Sequence, residues 1–177
     1  MQNATFPKAT HKRGAFSKVT FSECGKFAKI TSQDMAKECL VMWGYGESDM
    51  WPEIERQYDM ETQDSDDQVF VMPKYDQPRS LKAALLPEEW EKYQALRKTP
   101  WHMAGYGKFC ELYRLAQTLP YGLSDVICEA LDSLANYGDT WAIEVSPRNV
   151  AVKNGRLILL DIFYDRKALR RNFGMPQ

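Results

Sequence analysis

Three polar side chains stand at the ends of apolar runs in the stretch Trp141–Tyr164: Glu144, Asn149 and Asp161. The stretch reads W-A-I-E-V-S-P-R-N-V-A-V-K-N-G-R-L-I-L-L-D-I-F-Y. A carboxylate, an amide five residues on and a second carboxylate twelve residues after that can converge across a hairpin. One chemistry that needs such a set is metal–nucleotide phosphoryl transfer. There one carboxylate orients the attacking hydroxyl, while the amide and the other carboxylate hold Mg²⁺. The plain alternative is an ordinary β-hairpin with polar residues at its ends.

The elements that must position these groups follow from the same residues. Ile143 and Val145 flank Glu144, and Ser146-Pro147-Arg148-Asn149 breaks the apolar run. Val150–Val152 resumes it, and Asn154-Gly155 predicts a type I′ turn because both residues tolerate positive φ. Arg156–Leu160 then runs into Asp161. The expected order is strand, loop, strand, tight turn, strand. Upstream, Ser124-Asp125 is expected to cap a helix carrying Val126, Ile127, Ala130, Leu131 and Leu134 at helical spacing.

Composition bounds the answer. A chain of 177 residues predicts one domain, or two small lobes sharing a cleft. Its 44% hydrophobic and 27% charged residues suit a packed core. A formal net charge of −1 argues against a general nucleic-acid-binding surface. No apolar run is long enough for a transmembrane helix, and the N-terminus lacks the apolar core of a signal peptide. Cys24, Cys39, Cys110 and Cys128 are widely spaced, and with only two histidines a zinc site is not expected. Cys39, Cys110 and Cys128 sit in helical apolar patterns, which predicts buried free thiols and a reducing, cytoplasmic setting.

Residues 1–12 carry no periodicity and predict a mobile start. Lys26–Ile30 alternates as a short strand. Ser32 is the expected N-cap of a helix running to about Trp43 and stopping at Gly44, with Met35, Cys39 and Met42 on its apolar face. Glu38 points from the same side, and a charge on a buried face needs a partner. Lys29 on the preceding strand is the expected one; a solvated Lys29 and a solvated Glu38 are the plain alternative. Glu53–Glu61 and Gln68–Met72 predict two strands joined by an acidic turn, Thr62–Asp67. Ser80–Lys98 predicts two helical pieces around Pro87, followed by a helix from about Tyr106 to Leu119. Arg166, Lys167, Arg170 and Arg171 predict a short basic terminal helix.

In this order the segments resemble protein kinases, whose catalytic loop H-R-D-L-x-x-x-N is followed by a hairpin and D-F-G. Pro147, Asn149 and Asp161 match directly, whereas Ala142, Ile143 and Glu144 stand for His, Arg and Asp, and Ile162-Phe163 for Phe-Gly. Within that superfamily the chain is most similar to the early serine/threonine kinases of T7-type tailed phages, in which a short chain also ends soon after the metal-binding Asp. The resemblance spans roughly Lys12–Tyr164. It implies an α+β, compact two-lobed protein-kinase-like fold. Its small antiparallel sheet lobe carries one helix, over about residues 12–75, and a truncated helical large lobe with the catalytic hairpin covers about 76–177.

The resemblance also implies roles. Lys29 would position ATP phosphates and Glu38 would orient Lys29. Asn149 and Asp161 would bind Mg²⁺, with Glu144 in the base position. Gly14 and Phe16 would belong to an incomplete glycine-rich loop, and the hinge around Met72–Tyr75 would hold the adenine. The implied protein is a phage-encoded, ATP- and Mg²⁺-dependent serine/threonine kinase acting on host proteins in the host cytoplasm. The depleted glycine loop and Glu144 favour a second reading, a pseudokinase that binds and redirects a host protein. A small-molecule kinase of the aminoglycoside type fits less well, since such enzymes usually keep His and Asp in the catalytic loop and have a larger helical domain.

Overall fold

The computed structural model describes residues 5–6, 11–13, 17–44, 46, 48–57, 67–105, 108–120 and 122–172. The chain is α+β and two-lobed, as the sequence implies. Strands β1 (His11–Arg13), β2 (Ser17–Phe21), β3 (Phe27–Ser32), β4 (Glu55–Gln57) and β5 (Gln68–Pro73) form a five-stranded antiparallel sheet ordered β1-β2-β3-β5-β4. β1 begins inside the segment expected to be a mobile start. Helix α1 (Met35–Gly44) follows β3.

The rest is mostly helical: α2 (Leu81–Ala84), α3 (Pro87–Lys98), a 3₁₀ turn at Trp101–Met103, α4 (Phe109–Ala116) and α5 (Leu123–Ala135). Two small ribbons follow. β6 (Trp141–Ile143) pairs with β9 (Phe163–Asp165), and β7 (Val150–Lys153) pairs with β8 (Arg156–Leu159). The basic helix α6 is Arg166–Asn172. Asn154 and Gly155 take φ of 52° and 79° in the β7–β8 turn, as a type I′ turn requires.

One apolar core joins the sheet, through Ile30 and Phe70, to Leu96, Leu112, Ile127, Leu131 and Leu134 of the helices. The β7–β8 hairpin fastens the parts together. The Val152 amide donates to the Asp76 carbonyl (2.9 Å), Leu86 to Gly155 (2.8 Å) and Leu159 to Met50 (2.7 Å).

Helix α1 differs from expectation at both its cap and its face. Asp34, not Ser32, is the cap: its Oδ1 accepts from the Ala36 amide at 3.0 Å, while the Ser32 hydroxyl accepts from the Asp34 amide at 3.1 Å. The buried residues are Ala36, Lys37, Cys39, Leu40 and Trp43, and Met42 is exposed. M-A-K-E-C-L-V-M-W-G is apolar on nearly every side, so more than one stripe fits a 3.6-residue period. At the end of α1 a Cβ on Gly44 would lie 2.6 Å from the Pro52 carbonyl oxygen. Gly44→Ala is therefore expected to cost about 1–3 kcal/mol through backbone displacement. Thermal denaturation should read this as a loss of roughly 2–4 °C per kcal/mol.

Other boundaries moved too. Gly122, with φ of 82°, precedes α5 where Ser124-Asp125 was expected to cap, and α4 is shorter than its apolar pattern. Most of the expected Thr62–Asp67 turn lies outside the described residues.

Cys39 and Cys128 are buried and free, but Cys110 is exposed, as is Cys24. Burial pushes the Cys39 thiol up to about 12. The Ser22 hydroxyl, and then the Lys26 backbone, hold the Cys24 thiol below its ordinary value. In the native protein Cys24 should therefore react first with a disulfide reagent, Cys110 next, and Cys39 and Cys128 only on unfolding. Mass spectrometry of the modified peptides reads the order.

Candidate functional site

A cleft of about 420 Å³ lies between the sheet and the β7–β8 hairpin. Its sheet wall is Val19, Ala28, Ile30 and Met72, and its outer end is Lys74, Tyr75, Asp76 and Gln77. Opposite stand Arg148, Leu160 and Asp161, and Lys37 enters from α1.

Alternation along β3 decides which of its residues reach this space. Ala28, Ile30 and Ser32 are buried; Phe27, Lys29 and Thr31, on the other face, are less so. Lys29 pairs across the sheet with Val71 and is not among the cleft residues. A side-chain period of two means that a lysine one position off stands on the wrong face. Nor do Lys29 and Glu38 form the expected ion pair. Glu38 Oε1 instead accepts from Arg56 Nη1 of β4 at 2.9 Å.

The three polar residues of the catalytic-type stretch do converge. Leu160 and Asp161 both donate their amides to the Asn149 carbonyl, at 2.9 and 3.1 Å. The Asn149 side-chain amide donates to the Glu144 carbonyl at 3.1 Å, and the Glu144 amide to the Ile162 carbonyl at 2.8 Å. The connection before β7 is thereby laced to the segment after β8 through backbone groups. Side chains differ in placement. Asp161 lines the cleft, whereas Glu144 is exposed and neither it nor Asn149 is a lining residue. Met72 and Tyr75 line the cleft, but the Lys74 amide between them is already bonded to the Lys26 carbonyl at 2.8 Å. Gly14 and Phe16 lie outside the described residues.

Lys37 is the cleft residue that the sequence reading missed. Its side chain is 4% exposed, and its ammonium donates to Asp161 Oδ1, whose carboxylate is 49% exposed. Burial works against the ammonium, but the charges of Asp161 and Asp34 outweigh it, so the Lys37 pKa is raised. Burial pushes the Asp34 carboxyl up; Lys37 draws it back and Asp161 adds to the rise. A signal existed in the sequence: Lys37 is followed at the third position by Leu40, inside the second apolar stripe of α1.

The donor set suits Mg²⁺. Asp161 and Asn149 supply hard oxygens on adjoining segments. Asn149 commits its N–H to Glu144, leaving its side-chain oxygen for another partner. Among the described residues no group of three or more His, Cys, Asp or Glu side chains gathers. A Mg²⁺ ion that borrows ligands from phosphates and water needs no such cage. The apolar wall at Ala28, Ile30 and Met72 suits a flat base, and Lys37, Lys74 and Arg148 put positive charge in the same cleft.

No protein-family profile matches the chain, and no curated protein matches it. Among solved structures it is similar to the crystal structure of aminoglycoside phosphotransferase APH(4)-Ia, at a TM-score of 0.39 and 14% identity. The match covers 90% of this chain and 65% of that one. A likeness this loose carries no argument about function. No helix among the described residues is long and apolar enough to cross a membrane.

Proposed function

We propose that the cleft binds ATP with Mg²⁺ and that the chain is a protein-kinase-like phosphotransferase. The observation that carries this reading is the junction at Asp161. There a half-exposed carboxylate meets a buried ammonium, in a cleft with an apolar wall, and its own amide is bonded to Asn149. Asp161 and Asn149 would hold the metal. When bound, Mg²⁺ neutralises charge on the phosphates. Ala28, Ile30 and Met72 would receive the base. In the transfer, an acceptor hydroxyl attacks the γ-phosphorus, ADP leaves, and Glu144 takes the hydroxyl proton. Glutamate is one methylene longer than the aspartate it replaces, and a displacement of about 1 Å can cost roughly 10²-fold in rate. The acceptor we propose is a serine or threonine hydroxyl of a host protein, with the chain phage-encoded, as the sequence resemblance implies.

The second reading is a nucleotide-gated scaffold that binds a host protein without transferring phosphate. It is favoured by the exposed Glu144 carboxylate, which makes no hydrogen bond or ion pair among the described residues. Incubation with γ-labelled ATP, Mg²⁺ and a host protein extract separates the two. Label transferred by the parent and lost in Glu144→Gln supports the enzyme. Nucleotide binding with no transfer supports the scaffold.

A further inference from the structure

We infer that Lys37, carried on helix α1, takes the phosphate-contacting role expected of Lys29, and that its pair with Asp161 is a resting contact opened by the metal–nucleotide complex. This inference rests on reading the cleft as a nucleotide site. Three observations carry it. Lys29 is excluded by parity, since it shares the outer face of β3 with Phe27 and Thr31 while Ala28 and Ile30 form the wall. Lys37 is a charged side chain almost wholly removed from water yet directed at Asp161, an acidic residue of the cleft. Lysines are almost never buried unless paired. The other basic residues of the cleft are exposed or held toward its outer end: the Lys74 ammonium lies over the Phe21 ring, 5.1 Å from its centre, and Arg148 is exposed beside Gln77.

The position of Lys37 is fixed rather than incidental. Ala36, Leu40 and Trp43 anchor α1 in the core, and Asp34 holds its first turn. With a dication held at the Asp161 oxygens, the Lys37 ammonium would face added positive charge and its pair with Asp161 would weaken. Lys37 then keeps Asp34 as a charge partner and gains a phosphate oxygen. Asp34 thus serves the lysine as Glu38 was expected to serve Lys29.

The test uses the unaltered protein and an acyl-phosphate derivative of ATP. A lysine amine lying against the phosphates attacks the acyl carbon. The acyl–oxygen bond breaks, ATP leaves and the amine proton goes to solvent. The expected result is label on Lys37, suppressed by excess ATP with Mg²⁺. Suppressible label on Lys29 or Lys74 instead, with ATP binding intact, overturns the inference alone. No suppressible label and no ATP binding overturns both the inference and the nucleotide reading. A second measurement uses D34N/K37M, which removes both buried charges while Asn keeps the cap. It should weaken ADP binding by about 10- to 100-fold, the loss of a hydrogen bond to a charged group. Mn²⁺ alone, followed by electron paramagnetic resonance, should bind it more tightly than the parent because Asp161 is released. K37R should recover part of the nucleotide affinity, and K29M should match the parent. Unchanged ADP and Mn²⁺ binding in D34N/K37M overturns the inference.

Discussion

Asp161→Asn is expected to abolish the thermal stabilisation that ATP with Mg²⁺ gives the parent. The carboxylate is the half-exposed acidic group of the hairpin side of the cleft, and the amide that replaces it has no charge to offer a metal. Outer-sphere partners of metal sites already cost about 10- to 100-fold in affinity when removed, so the loss of a direct ligand should be at least that large. The fold itself should survive. The amide of residue 161 still donates to the Asn149 carbonyl, because that bond belongs to the backbone. Lys37 loses one partner but keeps the Asp34 charge. Because the Asp161 carboxylate is half-exposed and the Asp34 charge remains near Lys37, breaking the pair should cost about 1 kcal/mol rather than the several of a fully buried one. Denaturation without ligand should therefore be nearly unchanged while the ligand-induced shift disappears. A ligand-induced shift equal to the parent's would remove Asp161 from the metal site.

The largest stability effect is expected at Trp43. Its ring lies 4.7 Å from Trp51 and 5.5 Å from Phe163 between ring centres, tying α1 to β9 behind Asp161. Trp43→Ala leaves a cavity that these neighbours cannot close and should cost about 3–5 kcal/mol in urea denaturation. Trp43→Phe should be much milder. The buried indole Nε1 has no hydrogen-bond partner among the described residues, so deleting it also deletes an unsatisfied donor worth about 1–3 kcal/mol. If both substitutions cost the same, the indole N–H has a partner and the aromatic contact is not what counts. Since Trp43 also positions the helix that carries Lys37, Trp43→Ala should weaken nucleotide binding as well.

The elements that were legible in the sequence are those with strong local chemistry. Asn154-Gly155 can hold two positive φ angles in succession, so the hairpin was fixed by two residues. Pro87 with Glu88 and Glu89 starts α3 as expected, and alternation marked β3. The candidate site was legible only in part. The approach of Asn149 to Asp161 follows from the hairpin, which brings its two ends together whatever lies elsewhere. Lys37 was missed because α1 is apolar on several sides, so its spacing does not say which side meets the sheet. Lys29 is on the expected strand, but its parity relative to Ala28 puts it on the face away from the cleft. Glu38 does find a partner, but it is Arg56 on β4 rather than Lys29, a contact between strand and helix that no local pattern announces. Cys110 failed for a related reason: α4 is amphipathic, and its exposed side includes a residue type usually found inside.

The most direct test of the central claim is a calorimetric titration of the parent protein with ATP, with and without Mg²⁺, repeated on Asp161→Asn. The cleft predicts saturable one-site binding that needs Mg²⁺ and is lost in the variant. No heat with the parent, or binding indifferent to both the metal and Asp161, would contradict it.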